Sequence, residues 1–159
     1  MDKDYLTGWT TIEQSKALVE AGLNPDTADM YYSAYITYAN GKPIKEKPEY
    51  GLQAWPYKDR SSMIVGFTKV DYVPCWTIGK LIDLMPKYLK SGKDNYFDLV
   101  IIPWLNQVQY INLAINSTEG RVYAESRIGN TLIDAVIAMI ERLLECKSTR
   151  LVNVKSGLV

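Results

Sequence analysis

The stretch Val108-Gln109-Tyr110-Ile111-Asn112-Leu113-Ala114-Ile115-Asn116, the turn Ser117-Thr118-Glu119-Gly120 and the stretch Arg121-Val122-Tyr123-Ala124-Glu125-Ser126-Arg127 decide how this chain is read. Both flanks alternate apolar with polar residues, the period of a strand that buries one side. Tyr96 to Ile102, rich in aromatic and β-branched residues, adds a third strand and completes an antiparallel meander. Pairing Asn116 with Arg121 places Asn112 opposite Glu125, Tyr110 opposite Arg127 and Leu113 opposite Ala124. Ile111, Leu113, Ile115, Val122 and Ala124 then share the core face. Tyr110, Asn112, Tyr123 and Glu125 share the solvent face, joined by Tyr96 and Asp98 of the neighbouring strand.

An apolar sheet face needs a cover, and the chain supplies one. From Asn130 or Thr131 to about Cys146, eight large apolar residues between Leu132 and Leu144 leave only a thin polar strip of Asp134, Glu141 and Glu145. So wide an apolar surface has to be buried on two flanks. One flank takes the sheet residues Ile111, Leu113 and Ile115. The other takes a second helix, capped by Thr77, with Ile78, Leu81, Ile82 and Met85 on one side and ended by Pro86. Trp76 before that cap meets Leu81 as a hydrophobic staple. Lys90 to Asn95 reads as a loop.

Further towards the N-terminus, Thr10-Thr11-Ile12-Glu13 predicts a capping box between Thr10 and Glu13, with a helix ending at Gly22 and Leu23 folding back on it. Asn24 to Thr27 is a turn, and Ala28 to Met30 one further helical turn. Residues 31 to 60 show no clean period: four tyrosines fall in eight residues, then Asn40-Gly41-Lys42-Pro43 signals a turn. This region reads as irregular. Ser62 to Phe67 is a short strand. The expected fold is α+β in a single domain, residues 1–159, with a small antiparallel three- to four-stranded sheet, helices packed on one face, and an aromatic, irregular N-terminal region. Residues 147–159 form a tail that docks, adds an edge strand or stays mobile.

Composition narrows the function classes. The 159 residues hold 18 Lys plus Arg against 18 Asp plus Glu, and no histidine. Imidazole acid-base steps, Ser-His and Cys-His nucleophiles and His-based zinc sites are thereby excluded. Balanced charge leaves no phosphate-neutralising footprint, so a nucleic-acid partner is not expected. No apolar run approaches a bilayer span, and the first residues lack a secretory pattern, so a cytoplasmic protein with no membrane partner is expected. Cys75 and Cys146 lack the spacing of a metal knuckle or redox pair and read as buried, reduced thiols. Asn24, Asp26 and Asp29 lack the pattern of a cation loop, and turn and capping duties account for them. No metal site, cofactor motif or phosphate loop appears.

Three stretches carry a resemblance: Trp9 to Lys16 followed by Ala21 to Tyr32, Pro74-Cys75-Trp76-Thr77-Ile78 with Leu81, and Asp134-Ala135 with Met139-Ile140-Glu141. Together they resemble an uncharacterised family of small hypothetical proteins from gut anaerobic bacteria and their phages or mobile elements. The resemblance implies a bacterial, phage-linked origin and brings no activity or site residues with it.

Two surfaces emerge as candidates. Tyr31, Tyr35, Tyr38, Trp55 and Tyr57, with Trp9 and Tyr32, supply the rings and polar tips that interaction surfaces favour, although wrapping a small core explains such rings more simply. Asp98, Tyr110, Asn112, Tyr123 and Glu125 are the alternative, a polar sheet face that binds a small molecule or houses histidine-free acid-base chemistry. An antiparallel sheet usually leaves one face solvated, which accounts for these residues without a ligand. The reading preferred on the sequence is an accessory or interaction module, not an enzyme, whose aromatic surface meets a protein partner or a second copy of itself.

Overall fold

The computed structural model describes residues 8–45, 47–59, 64–65, 68–91, 95–112 and 123–148. Among the described residues, three α-helices and two antiparallel sheets make an α+β fold. The second sheet is the expected meander with one strand added. It runs β6 (Tyr88–Ser91), β7 (Asn95–Ile102), β8 (Gln107–Ile111) and β9 (Tyr123–Ile128) in spatial order. Lys90 and Ser91, expected in a loop, instead belong to β6, where Leu89 pairs with Phe97 and both side chains are buried. Leu113, Ile115 and the turn 117–120 lie outside the described residues.

The register corrects the sequence reading. Tyr110 pairs with Glu125, and Val108 with Arg127. The pairing then shifts so that Ile111 meets Tyr123, leaving Ala124 as the extra residue of an irregularity on β9. An inserted residue of this kind breaks the period of two on which the expected register rested. The faces are also exchanged: Tyr110 and Val108 enter the hydrophobic core, together with Phe97 and Leu89, and Ile111 does not. Alternation with Ile111 and Leu113 puts Tyr110 on the solvent side, yet a tyrosine ring is a large apolar body that a core accepts. The Tyr110 hydroxyl is satisfied by donating to the carbonyl of Pro86 at 2.6 Å. Being central, β8 is buried on both faces, with Gln109 and Ile111 on the side away from the core.

Helix α3 (Leu132–Ser148) covers this sheet and packs on β8, β9, α2 (Ile78–Leu84) and α1 (Ile12–Glu20). Its start is fixed reciprocally: Asp134 N–H donates to the Thr131 hydroxyl at 3.3 Å, and Thr131 N–H donates to Asp134 Oδ2 at 3.1 Å. Gly129 sits tight against that first turn, where a Cβ would come within 2.5 Å of the Ala135 nitrogen. As expected, Thr77 caps α2 by accepting from Lys80 N–H, and Trp76 and Leu81 lie in the same buried cluster. The cap of α1 is displaced by one residue. Thr11 and Gln14 form the capping box, not Thr10 and Glu13. Thr10 is diverted to the interior, where its hydroxyl accepts from Trp76 N–H at 3.0 Å and bonds Ser15 at 2.7 Å. Helix α1 ends as anticipated. Gly22 (φ 101°) takes the left-handed position, Leu23 N–H reaches Leu18 O at 2.9 Å, and both leucines are buried.

The largest departure lies in the region read as irregular. Met30, expected in a helical turn, opens the ten-residue strand β1 (Met30–Ala39), centre of a five-stranded sheet. One edge of β1 pairs with β2 (Lys42–Pro43) and β3 (Gly51–Gln53); the other pairs over eight positions with β5 (Thr68–Cys75), which β4 (Ile64–Val65) extends. Asn40 (φ 52°) and Gly41 (φ 76°) are both left-handed, the two-residue turn whose twist suits a hairpin. No helix among the described residues is long and apolar enough to cross a membrane.

Burial pushes the Tyr110 and Tyr32 phenols well above their usual range. Tyr50 is pushed up to about 12 by burial and by its hydrogen bond to Asp71. Unfolded phenols lose protons near pH 10 while these stay protonated, so the unfolded state binds fewer protons and stability falls as pH rises above about 10. Urea midpoints measured between about pH 9 and about pH 11 are expected to drop steeply in the wild type and less steeply in Tyr110→Phe. Equal slopes would contradict the burial of that hydroxyl.

Candidate functional site

The two faces of the first sheet differ. Tyr32, Ala34, Val73 and Cys75 stand on one side, and Ala34, Val73 and Cys75 are buried there. The Tyr32 hydroxyl donates to Thr10 O at 2.8 Å, tying this side to the residues that lead into α1, while Tyr50 reaches Asp71. The other side carries Tyr31, Ser33, Tyr35 and Thr37 of β1 opposite Pro74, Tyr72, Val70 and Thr68 of β5. Here Tyr35 is 76% exposed, and the Tyr31 and Tyr72 rings meet edge to face with centroids 5.6 Å apart. Edge-to-face geometry holds both rings in place beside Tyr35. At the margin of β1 a groove of about 380 Å³ runs past Tyr35, Thr37, Ile44 and Pro48 and the charged pair Lys45 and Glu49.

The aromatic set named from the sequence is therefore divided. Tyr31 and Tyr35 share the open side. Tyr38 follows the parity of Tyr32 and lies on the opposite side. Trp55 is 68% exposed in the bend after β3, and Tyr57 packs partly against the main core. Tyr72 and Val70 were missed, although Thr68-Lys69-Val70-Asp71-Tyr72-Val73 carries a legible signal in β-branched residues alternating with charges. Trp104, the most exposed aromatic among the described residues at 82%, is also new, on the turn that joins β7 to β8.

Comparisons with protein-family models, curated proteins and solved structures find no match for this chain. Any functional reading therefore rests on the geometry of its own residues.

The alternative site does not converge. Tyr110 is fully buried, and Asp98 stands on the other face of the sheet, opposite Ile111 and Tyr88. Glu125 belongs with Tyr110 on the α3 side, where its carboxylate meets Arg142 Nε at 2.9 Å and Arg127 at 3.3 Å. That arrangement fastens β9 to α3. Asn112 is buried at the end of β8, and the Tyr123 side chain lies outside the described residues. Cys75 is buried; desolvation raises its thiol above the usual range, against thiolate chemistry. The turn residues behave as structural groups: Asn24 Oδ1 accepts from Asp26 N–H at 3.1 Å, and the Asp29 carboxylate accepts from Thr77 N–H at 2.9 Å and its hydroxyl at 2.5 Å. No group of three or more metal-ligating side chains occurs among the described residues.

Proposed function

We propose that the chain is an interaction module whose working surface is the open side of the β1–β5 sheet, centred on Tyr35 and flanked by Tyr31 and Tyr72. The observation that carries this reading is the position of Tyr35: a large aromatic side chain in the middle of a ten-residue central strand, three-quarters exposed. One face of an antiparallel sheet can stay in water, and a ring this exposed beside the half-buried Tyr31 and Tyr72 offers the aromatic contact area that interfaces use. Tyrosine also suits binding, because its ring gives contact area at little entropic cost and its hydroxyl adapts to either hydrogen-bond role.

A photo-crosslinking phenylalanine analogue in place of Tyr35 is expected to yield covalent protein adducts in cells that express the chain, and the same analogue in place of Tyr38 few or none. Adducts from both positions alike, or none from position 35, would overturn the reading.

A further inference from the structure

We infer that the groove between α1 and β5 binds a small zwitterion of the α-amino-acid class with an apolar side chain. The groove, about 300 Å³, is lined by the four consecutive residues Asp71 to Pro74, so it runs along the margin of β5, and the exposed Lys16 and Glu20 of α1 line it too. It is a second site. Tyr72 borders both this groove and the Tyr31 ring, but nothing here depends on how the Tyr35 surface is read.

The bed of the groove is apolar. Val73 and Pro74 are buried beneath it, and the half-buried rings of Tyr57 and Tyr72 line it as well. Both residues are held in place, Tyr57 by its N–H on the carbonyl of Ala28 at 3.1 Å and Tyr72 by edge-to-face contact with Tyr31. Small-molecule sites combine such a bed with a few polar groups at fixed positions. Here those groups carry both signs of charge. Lys16 and Glu20 lie one helical turn apart, yet among the described residues neither forms an ion pair or a side-chain hydrogen bond. Lysine four residues ahead of glutamate is the weaker order for a helical pair, which leaves both groups available. Asp71 accepts the Tyr50 hydroxyl on Oδ2, and its Oδ1 has no partner among the described residues.

A ligand of single charge meets one group that attracts it and another that repels it. A zwitterion satisfies both. Its carboxylate pairs with the Lys16 ammonium, its own ammonium pairs with Glu20 and Asp71 Oδ1 and is attracted by the tyrosine rings, and its side chain covers Val73 and Pro74.

Titration of the full chain with L-phenylalanine and with L-leucine, followed through backbone amide shifts by nuclear magnetic resonance, tests this. Saturable shifts are expected around Lys16 and Glu20, at Tyr57 and along Asp71 to Pro74. Phenethylamine and hydrocinnamate, which each keep one of the two charges of phenylalanine, should bind about tenfold more weakly or worse. Lys16→Met and Glu20→Gln should each weaken phenylalanine about tenfold, the loss of one charge-assisted contact, and leave thermal unfolding unchanged because both side chains are exposed. An amine or an acid that binds as tightly as the amino acid overturns the zwitterion. No saturable shifts with either amino acid, or binding indifferent to both substitutions, overturns the site.

Discussion

Trp76→Ala is expected to lower the unfolding free energy by about 3 to 5 kcal/mol, the range for truncating a fully buried aromatic residue. Trp76 has no exposed surface and is held at several points. Its backbone carbonyl accepts from Thr10 N–H at 2.9 Å, its N–H donates to the Thr10 hydroxyl at 3.0 Å, and its indole N–H donates to Thr27 Oγ1 at 3.0 Å. One residue thus joins the lead into α1 through its backbone and the turn before β1 through its indole, between the end of β5 and the start of α2. Alanine leaves a cavity at that junction and strips the Thr27 hydroxyl of its donor. Trp76→Phe should cost less, since most of the volume survives. Trp104→Ala, at the opposite extreme of exposure, should stay within about 0.5 kcal/mol. Urea denaturation of the three variants checks the order, and a loss below about 1.5 kcal/mol for Trp76→Ala would contradict the junction.

Trp76 also illustrates what the sequence reveals. The Thr77 cap, the spacing of Ile78, Leu81, Ile82 and Met85 and the stop at Pro86 are local signals, and the helix they specify is present with the expected limits. The same holds for the end of α1 at Gly22 and for the long apolar helix α3. Strand β1 stayed hidden for a physical reason. A strand is recognised by apolar–polar alternation, and Tyr31, Tyr32, Tyr35 and Tyr38 blur it because a tyrosine suits either side of a sheet. The Asn40-Gly41 pair was the stronger clue, being the preferred sequence of a two-residue hairpin between β-forming flanks. Tyr110 misled in the opposite sense. Only the carbonyl of Pro86, twenty-four residues away, makes its burial acceptable, and a periodicity argument cannot see a partner that tertiary structure delivers. With that one residue on the wrong side, Glu125 was counted as a solvent-facing carboxylate when it is the anchor of Arg127 and Arg142. The candidate surface was legible as a composition, rich in tyrosine and tryptophan, and illegible as a geometry, since the division between Tyr35 and Tyr38 exists only once β1 is a strand.

The second large effect is expected at Ile140. Eight large apolar side chains on α3 need covering on two flanks, and the structure supplies both: Leu81 and Met85 of the α2 region on one, and Val108 and Tyr110 of β8 on the other. Ile140 is fully buried within this shared cluster. Removing three of its carbons leaves a void that neither side can fill freely, because α2 is fixed by its Thr77 cap and β8 is a central strand paired on both edges. Ile140→Ala should therefore cost about 2 to 5 kcal/mol, and Ile140→Val, which removes one carbon, about 0.5 to 1.5 kcal/mol. The ratio matters more than either value. If the surroundings were able to collapse, the alanine variant would lose little beyond the transfer term of the missing methyl and methylene groups, and the two variants would draw together. Denaturation of both variants beside Trp104→Ala as a surface reference decides the matter: a loss below about 1 kcal/mol for Ile140→Ala would mean that α3 is not clamped between α2 and the sheet.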